Sequence, residues 1–254
     1  MTRTLARRQV RAIAFCALLM ASCFGEAFAD STVSGLRPRP GFVVELVAKE
    51  PLVTDPVAFD WGSDGNLWVV EMQDYPLGVD NRGAPGGRVR VLSDSDGDGR
   101  YDHATLFLDG LQFPNGILTW GRGVLVTCAP EIFYAEDTDG DGQADRREVL
   151  FSGFGEVNPQ HRINGLRWGL DNWVYCANGD FAPARRRPDA AASPENPYKG
   201  PSPGATRDVQ GLALSGAAIL CHKTGVRVDI LNRDFRFRPE SGELDPQSGQ
   251  SQYG

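Results

Sequence analysis

Asp94-Ser-Asp-Gly-Asp-Gly-Arg-Tyr-Asp102 and Asp137-Thr-Asp-Gly-Asp-Gly-Gln-Ala-Asp145 share one pattern, D-x-D-G-D-G-x-x-D. Carboxylates at loop positions 1, 3, 5 and 9 around a glycine at 6 are the pattern of a calcium loop. The ion takes about six to eight oxygens, and a tight glycine turn folds alternate side chains inward to supply them. The first loop is expected to hold Ca²⁺ through Asp94, Asp96, Asp98, the Arg100 carbonyl and Asp102. The second is expected to use Asp137, Asp139, Asp141, the Gln143 carbonyl and Asp145. The flanks decide the fold. Arg88-Val-Arg-Val-Leu92 before the first loop and Thr105-Leu-Phe-Leu108 after it read as strands, where an EF-hand needs helices. The Glu that closes an EF-hand at position 12 is present as Glu148 in the second loop but is Thr105 in the first. Asp94 and Asp137 lie 43 residues apart, the length of one four-stranded propeller blade.

Two further repeats run alongside. Trp61-Gly-Ser-Asp-Gly-Asn-Leu-Trp-Val-Val70, Trp120-Gly-Arg-Gly-Val-Leu-Val126 and Trp168-Gly-Leu-Asp-Asn-Trp-Val-Tyr175 each give Trp-Gly, a turn and an apolar strand. Pro114-Asn-Gly-Ile117 and Ile163-Asn-Gly-Leu166 mark where successive blades begin. With 30 glycines, 41% hydrophobic residues and no long amphipathic helical pattern, the chain reads as all-β, a β-propeller of many short strands. Blades are expected at about 56–110, 112–154 and 161–245, within a partial propeller spanning 42–254. The stretch 182–210, rich in Pro, Ala, Arg and Gly, is expected to be an irregular insertion. It and the shorter loop from Met72 to Gly87 both follow the inner-strand motif, so both are expected on one face, where ligands are gripped.

Residues 1–29 read as a signal peptide: Arg3, Arg7, Arg8 and Arg11, an apolar run from Ala12 to Phe24, then Ala27-Phe28-Ala29 before Asp30. Residues 30–41 follow as a linker. Leu19-Met-Ala-Ser-Cys23 also resembles a lipobox, which would attach a lipid to Cys23 and give the chain its one route to a membrane. Either way the protein is expected to be exported, periplasmic or at the cell surface, where calcium is plentiful. The net charge is −7 for the whole chain and becomes −10 without those 29 residues, which hold four Arg and one Glu. Much of the acidity belongs to the two loops, and the sign argues against nucleic acid as a partner. Cys128, Cys176 and Cys221 lie beyond the leader. Cys128 and Cys176 take matching places in successive strands and read as small buried residues, with a disulfide between them as the alternative. Cys221-His222 lacks the upstream Cys of a haem-attachment site.

His161-Arg-Ile-Asn-Gly-Leu-Arg-Trp-Gly-Leu-Asp-Asn-Trp-Val-Tyr-Cys-Ala-Asn-Gly-Asp180 resembles the catalytic segment of soluble pyrroloquinoline-quinone (PQQ) glucose dehydrogenases. The resemblance implies a general base at His161, taking the proton of a sugar or polyol hydroxyl while hydride passes to the quinone. A neutral imidazole suits that task. Arg162 would neutralise a quinone carboxylate or an oxyanion, and Asp180 would orient the imidazole or bind substrate. Phe42-Val-Val-Glu-Leu-Val47, Leu67-Trp-Val-Val-Glu71, both Asp loops, Phe113-Pro-Asn-Gly-Ile117, the 161–180 segment and Arg233-Asp-Phe-Arg-Phe-Arg-Pro-Glu-Ser-Gly-Glu243 together are similar to the N-terminal propeller of the membrane-bound dehydrogenase family of planctomycetes and verrucomicrobia. That resemblance covers roughly residues 40–254 and implies a six-bladed ring. The chain then reads as its first half, truncated, with residues 42–48 as a ring-closing strand. Members of that family often continue into helical repeats and a haem domain, which the truncated reading expects this chain to lack. The quinone-gripping residues come from later blades, so the chain is expected to lack activity of its own. Two other functions compete. Gluconolactonase-like hydrolases resemble this chain in a Pro-Asn-Gly asparagine that binds one axial divalent metal, for which Glu71, Asn115, Asn164 and Asp180 are the candidate ligands. A non-catalytic carbohydrate- or protein-binding propeller is the third reading.

Overall fold

The computed structural model describes residues 35–156, 159–179, 218–230, 233–249 and 251. The chain divides into two compact units, Met1–Val47 and Ala48–Gly254. Of the first, residues 35–47 are described. Phe42 and Val43 are exposed there, and the expected strand at 42–48 is reduced to a single bridge residue, Glu45. The leader, the insertion at 182–210 and Asp180 lie outside the described residues.

Among its described residues the second unit is all-β, with fourteen strands and no helix. β1 (Pro56–Trp61), β2 (Leu67–Met72), β3 (Gly87–Ser93) and β4 (His103–Leu111) form an antiparallel sheet in chain order. β5 (Gly116–Trp120), β6 (Gly123–Cys128), β7 (Glu131–Glu136) and β8 (Arg146–Ser152) repeat that meander. The third sheet departs from the expectation of one blade at 161–245. It consists of β9 (Asn164–Trp168), β10 (Val174–Ala177), β13 (Phe235–Arg238) and β14 (Glu243–Pro246). The intervening β11 (Ala218–Cys221) and β12 (Arg227–Asp229) instead extend the second sheet, because β11 pairs with β8. That sheet has six strands, and its outer edge is covered by a hairpin from the segment beyond the insertion.

The sequence pattern explains this layering. The Val-Leu-Val run of β6 is buried along its whole length, as expected of a strand with a sheet on each face. On one face Val124, Val126 and Phe133 meet Val70, Val89 and Phe107 of the first sheet. On the other, Leu125, Ile132 and Phe151 meet Leu166, Val174, Phe235 and Phe237 of the third. Two apolar layers therefore bind three sheets. The first strands also touch in succession, β1 with β5 and β5 with β9. The Asp60 carboxylate ties the first pair, accepting from the Thr119 N–H at 2.7 Å and its hydroxyl at 2.9 Å. The lead-in ends of β1, β5 and β9 consequently lie side by side.

Candidate functional site

At those three strand ends lies a cavity of about 780 Å³. Its polar wall carries Asp55, Gln73, Asn115, Gln160, Asn164 and Arg167. Val57, Phe59, Met72 and Tyr75 add apolar surface to the same lining. Phe59 is half exposed and stands edge-on to Trp61, with ring centroids 5.1 Å apart. Gln160 donates to the Tyr75 hydroxyl at 2.6 Å, joining the lead-in of β9 to the loop after β2.

Asp55, Asn115 and Asn164 hold matching places, each at the start of the first strand of its sheet. Sequence reasoning found the two asparagines through their shared Asn-Gly and missed Asp55, because Asp55-Pro-Val-Ala58 keeps the position but neither residue of the motif. The Asn115 carbonyl accepts from the Thr127 hydroxyl at 3.0 Å. The Asn164 amide donates to the Arg162 carbonyl at 2.8 Å.

Glu71, expected among the axial metal ligands, is fully buried and is not part of the cavity wall. One carboxylate oxygen accepts from the Thr54 N–H at 2.8 Å, and the Arg90 Nε lies 3.1 Å from both oxygens. It cross-braces β2 and β3. His161 is partly buried, and it too is absent from the cavity wall. Arg162 is 3% exposed. Its guanidinium donates to the carbonyls of Gln112 (3.4 Å) and Glu156 (3.0 Å) and stacks 4.7 Å over the Phe113 ring. Burial lowers its pKa. Held inside in this way, the guanidinium spends these donors on backbone carbonyls.

The two Asp loops join β3 to β4 and β7 to β8, the third and fourth strands of the two matching meanders. Their internal bonding is nearly identical. Asp94 accepts from the N–H groups of Gly97 and Gly99, and Asp137 from those of Gly140 and Gly142. Positive φ at Gly97 and Gly99, matched by Gly140 and Gly142, allows these turns. Carboxylate oxygens of Asp94, Asp96 and Asp98 lie within 4.8 Å of one another, as do those of Asp137, Asp139 and Asp141. The ninth-position residues do something else. Asp102 accepts from the Ser95 N–H and hydroxyl, and Asp145 from those of Thr138, so each closes the base of its loop. These bonds hold both carboxylates below the ordinary value of 3.8, as the glycine N–H groups do for Asp94 and Asp137.

Cys128, Cys176 and Cys221 are all free and buried, which rules out the Cys128–Cys176 disulfide in this fold. Burial raises the Cys128 thiol to about 11 and shifts Cys176 further in the same direction.

Among known proteins, residues 29–195 match the family described as "Domain of unknown function (DUF7133)". No curated protein matches. A solved protein described as "the putative gluconolactonase in protein family" is similar at 19% identity and a TM-score of 0.37. The match covers 56% of this chain and 48% of the other, so the chain spans about half the length of that protein. A likeness of that size carries no argument about fold or activity.

Proposed function

The chain belongs to the DUF7133 family, and from its site we propose that it is an exported β-propeller module that binds a small polyhydroxylated ligand. The ligand class is a sugar, a polyol or a derived lactone, held in the cavity at the propeller axis. The carrying observation is the cavity's mixed lining of amides and aromatic rings. Asn115, Asn164, Gln73 and Gln160 supply paired donors and acceptors, and Phe59 and Tyr75 supply aromatic surface in the same lining. Amides and aromatic faces suit the hydroxyls and the C–H faces of such ligands. The succession of antiparallel sheets about one set of strand ends supports the propeller reading.

In this reading each Asp loop binds one Ca²⁺ and stiffens the strand connection it forms. The repeated D-x-D-G-D-G-x-x-D pattern is what supports the assignment. Quinone-dependent oxidation by this chain is not the reading the geometry favours. Of the residues expected for it, Arg162 is committed to backbone carbonyls, and His161 stands outside the cavity wall.

A lactone hydrolase is the second reading, favoured by the recurrence of Asp55, Asn115 and Asn164 along one cavity. That set fits a divalent ion only weakly. It offers one carboxylate and two amides, and the Asn115 oxygen already accepts from Thr127. Calorimetric titration of the calcium-loaded protein with D-glucose, sorbitol and D-gluconate tests binding. A parallel assay with glucono-1,5-lactone and Mg²⁺, Mn²⁺ or Zn²⁺ tests hydrolysis. Saturable binding without lactone turnover is the expected result. Turnover would install the second reading, and neither binding nor turnover would remove both.

A further inference from the structure

Two polar groups lie fully inside the protein where the three sheets meet. Asp74 follows β2 and is completely buried, and Arg162 precedes β9 at 3% exposure. Both act on the short segment that leads into β5. Asp74 accepts the Phe113 N–H at 2.8 Å, while Arg162 stacks on the Phe113 ring and donates to the Gln112 carbonyl. The Cys128 thiol at the end of β6 donates to that same carbonyl at 3.3 Å. Phe113 itself has φ of 52°, a left-handed conformation that a bulky residue adopts only when its surroundings hold it there.

This junction is costly. One oxygen of Asp74 and the Nε of Arg162 have no hydrogen-bond partner, and burying such groups is unfavourable. Apolar residues of similar volume often serve stability as well as a buried charge does or better. What the two residues do provide is alignment. Phe113 and Arg162 hold matching places, each two residues before a cavity asparagine. Arg162 also accepts the Asn164 side-chain amide at its own carbonyl, which fixes how that amide is turned. Gly179, at the exit of β10, lies so close to this carbonyl that a Cβ there would collide with it.

We propose that Asp74 and Arg162 are positioning residues: a buried cross-tie that sets the two strand lead-ins carrying Asn115 and Asn164, and so fixes the spacing of the cavity's amides. The functional meaning of that spacing rests on the cavity being the binding site. The alignment itself is measurable without any ligand.

The test is the side-chain amide region of the ¹⁵N–¹H spectrum of the whole chain, with Asn115 and Asn164 assigned by Asn115→Ser and Asn164→Ser. Asp74→Asn weakens the bond to Phe113 and is expected to displace the Asn115 pair. Arg162→Met is expected to displace both pairs. The amides of Asn66 and Asn172, in turns at the other end of the sheets, should stay in place and serve as internal controls. A role in packing alone would lower the melting temperature and leave the Asn115 and Asn164 signals where they are, which would overturn the proposal. Should Arg162→Met fail to fold, Arg162→Lys keeps the charge without the planar stack and is expected to shift the same signals. If neither Asp74→Asn nor Arg162→Lys folds, the pair is a stability element and the proposal is also overturned. Absence of sugar binding by a protein that shows the expected shifts would count against the ligand assignment alone.

Discussion

Glu71 shows how one buried side chain separates two functional readings. Its carboxylate is fully enclosed and engaged by Thr54 and Arg90, so it braces the sheet and leaves the cavity to others. Glu71→Ala removes one partner of a buried pair and strands the Arg90 guanidinium, which is 22% exposed. The expected cost is about 3 kcal/mol in a urea titration, at the low end for such pairs because Arg90 retains some water. A loss below about 1 kcal/mol would mean that the pair is dispensable. The cysteines give a second check. With Cys128 raised to about 11 and Cys176 shifted the same way by burial, neither is expected to react with iodoacetamide at pH 8 in the native protein. Both should react in urea, with mass spectrometry as the readout. The sequence revealed Asn115 and Asn164 because Asn-Gly repeats. It did not reveal Asp55, whose proline neighbour hides the repeat, or the inward turn of Arg162, since an arginine in a loop gives no sign of burial.

At the level of elements, the two Asp loops are alike within and different without. The first is tied to its own sheet: the Tyr101 hydroxyl donates to the Gly65 carbonyl at 3.0 Å. The second reaches the neighbouring sheet. The Ala144 N–H donates to the Phe107 carbonyl of β4 at 2.9 Å, and Thr105 packs close to Gly142. Chelation is expected to lower the melting temperature. Asp139→Ala should lower it more than Asp96→Ala, because only the second loop links two sheets. Equal effects would remove that distinction, and no response to chelator together with no calcium by elemental analysis would refute metal binding. Asp94, Asp102, Asp137 and Asp145 have folded values below the ordinary 3.8. A depressed carboxylate contributes stability that is fully present above its unfolded value and is lost as pH falls through its folded one. In chelator, the melting temperature should therefore drop below about pH 4, and Asp102→Asn with Asp145→Asn should flatten that drop. The strands around both loops were legible from alternation and turn residues. The pairing of β11 and β12 with the second sheet was not, because register across a long insertion depends on contacts that no local pattern encodes.

Across the second unit, the repeat of Trp-Gly turns and Asn-Gly strand starts was enough to foresee successive antiparallel sheets, since periodic turns dictate meanders. The cavity was legible only in outline. Its asparagines come from a repeated motif, but its aromatic residues, Phe59 and Tyr75, come from a strand and a loop that carry no signal in isolation. The account stands or falls on those amides holding a ligand. The most direct measurement is calorimetric titration of the Asn115→Ala/Asn164→Ala double variant beside the unaltered protein, using whichever of D-glucose, sorbitol or D-gluconate binds the latter. Each lost side chain removes hydrogen bonds worth about 1 kcal/mol, so affinity should fall by about tenfold or more in a variant that circular dichroism shows to be folded at the titration temperature. Affinity unchanged in the folded double variant would contradict the claim that this cavity is the binding site.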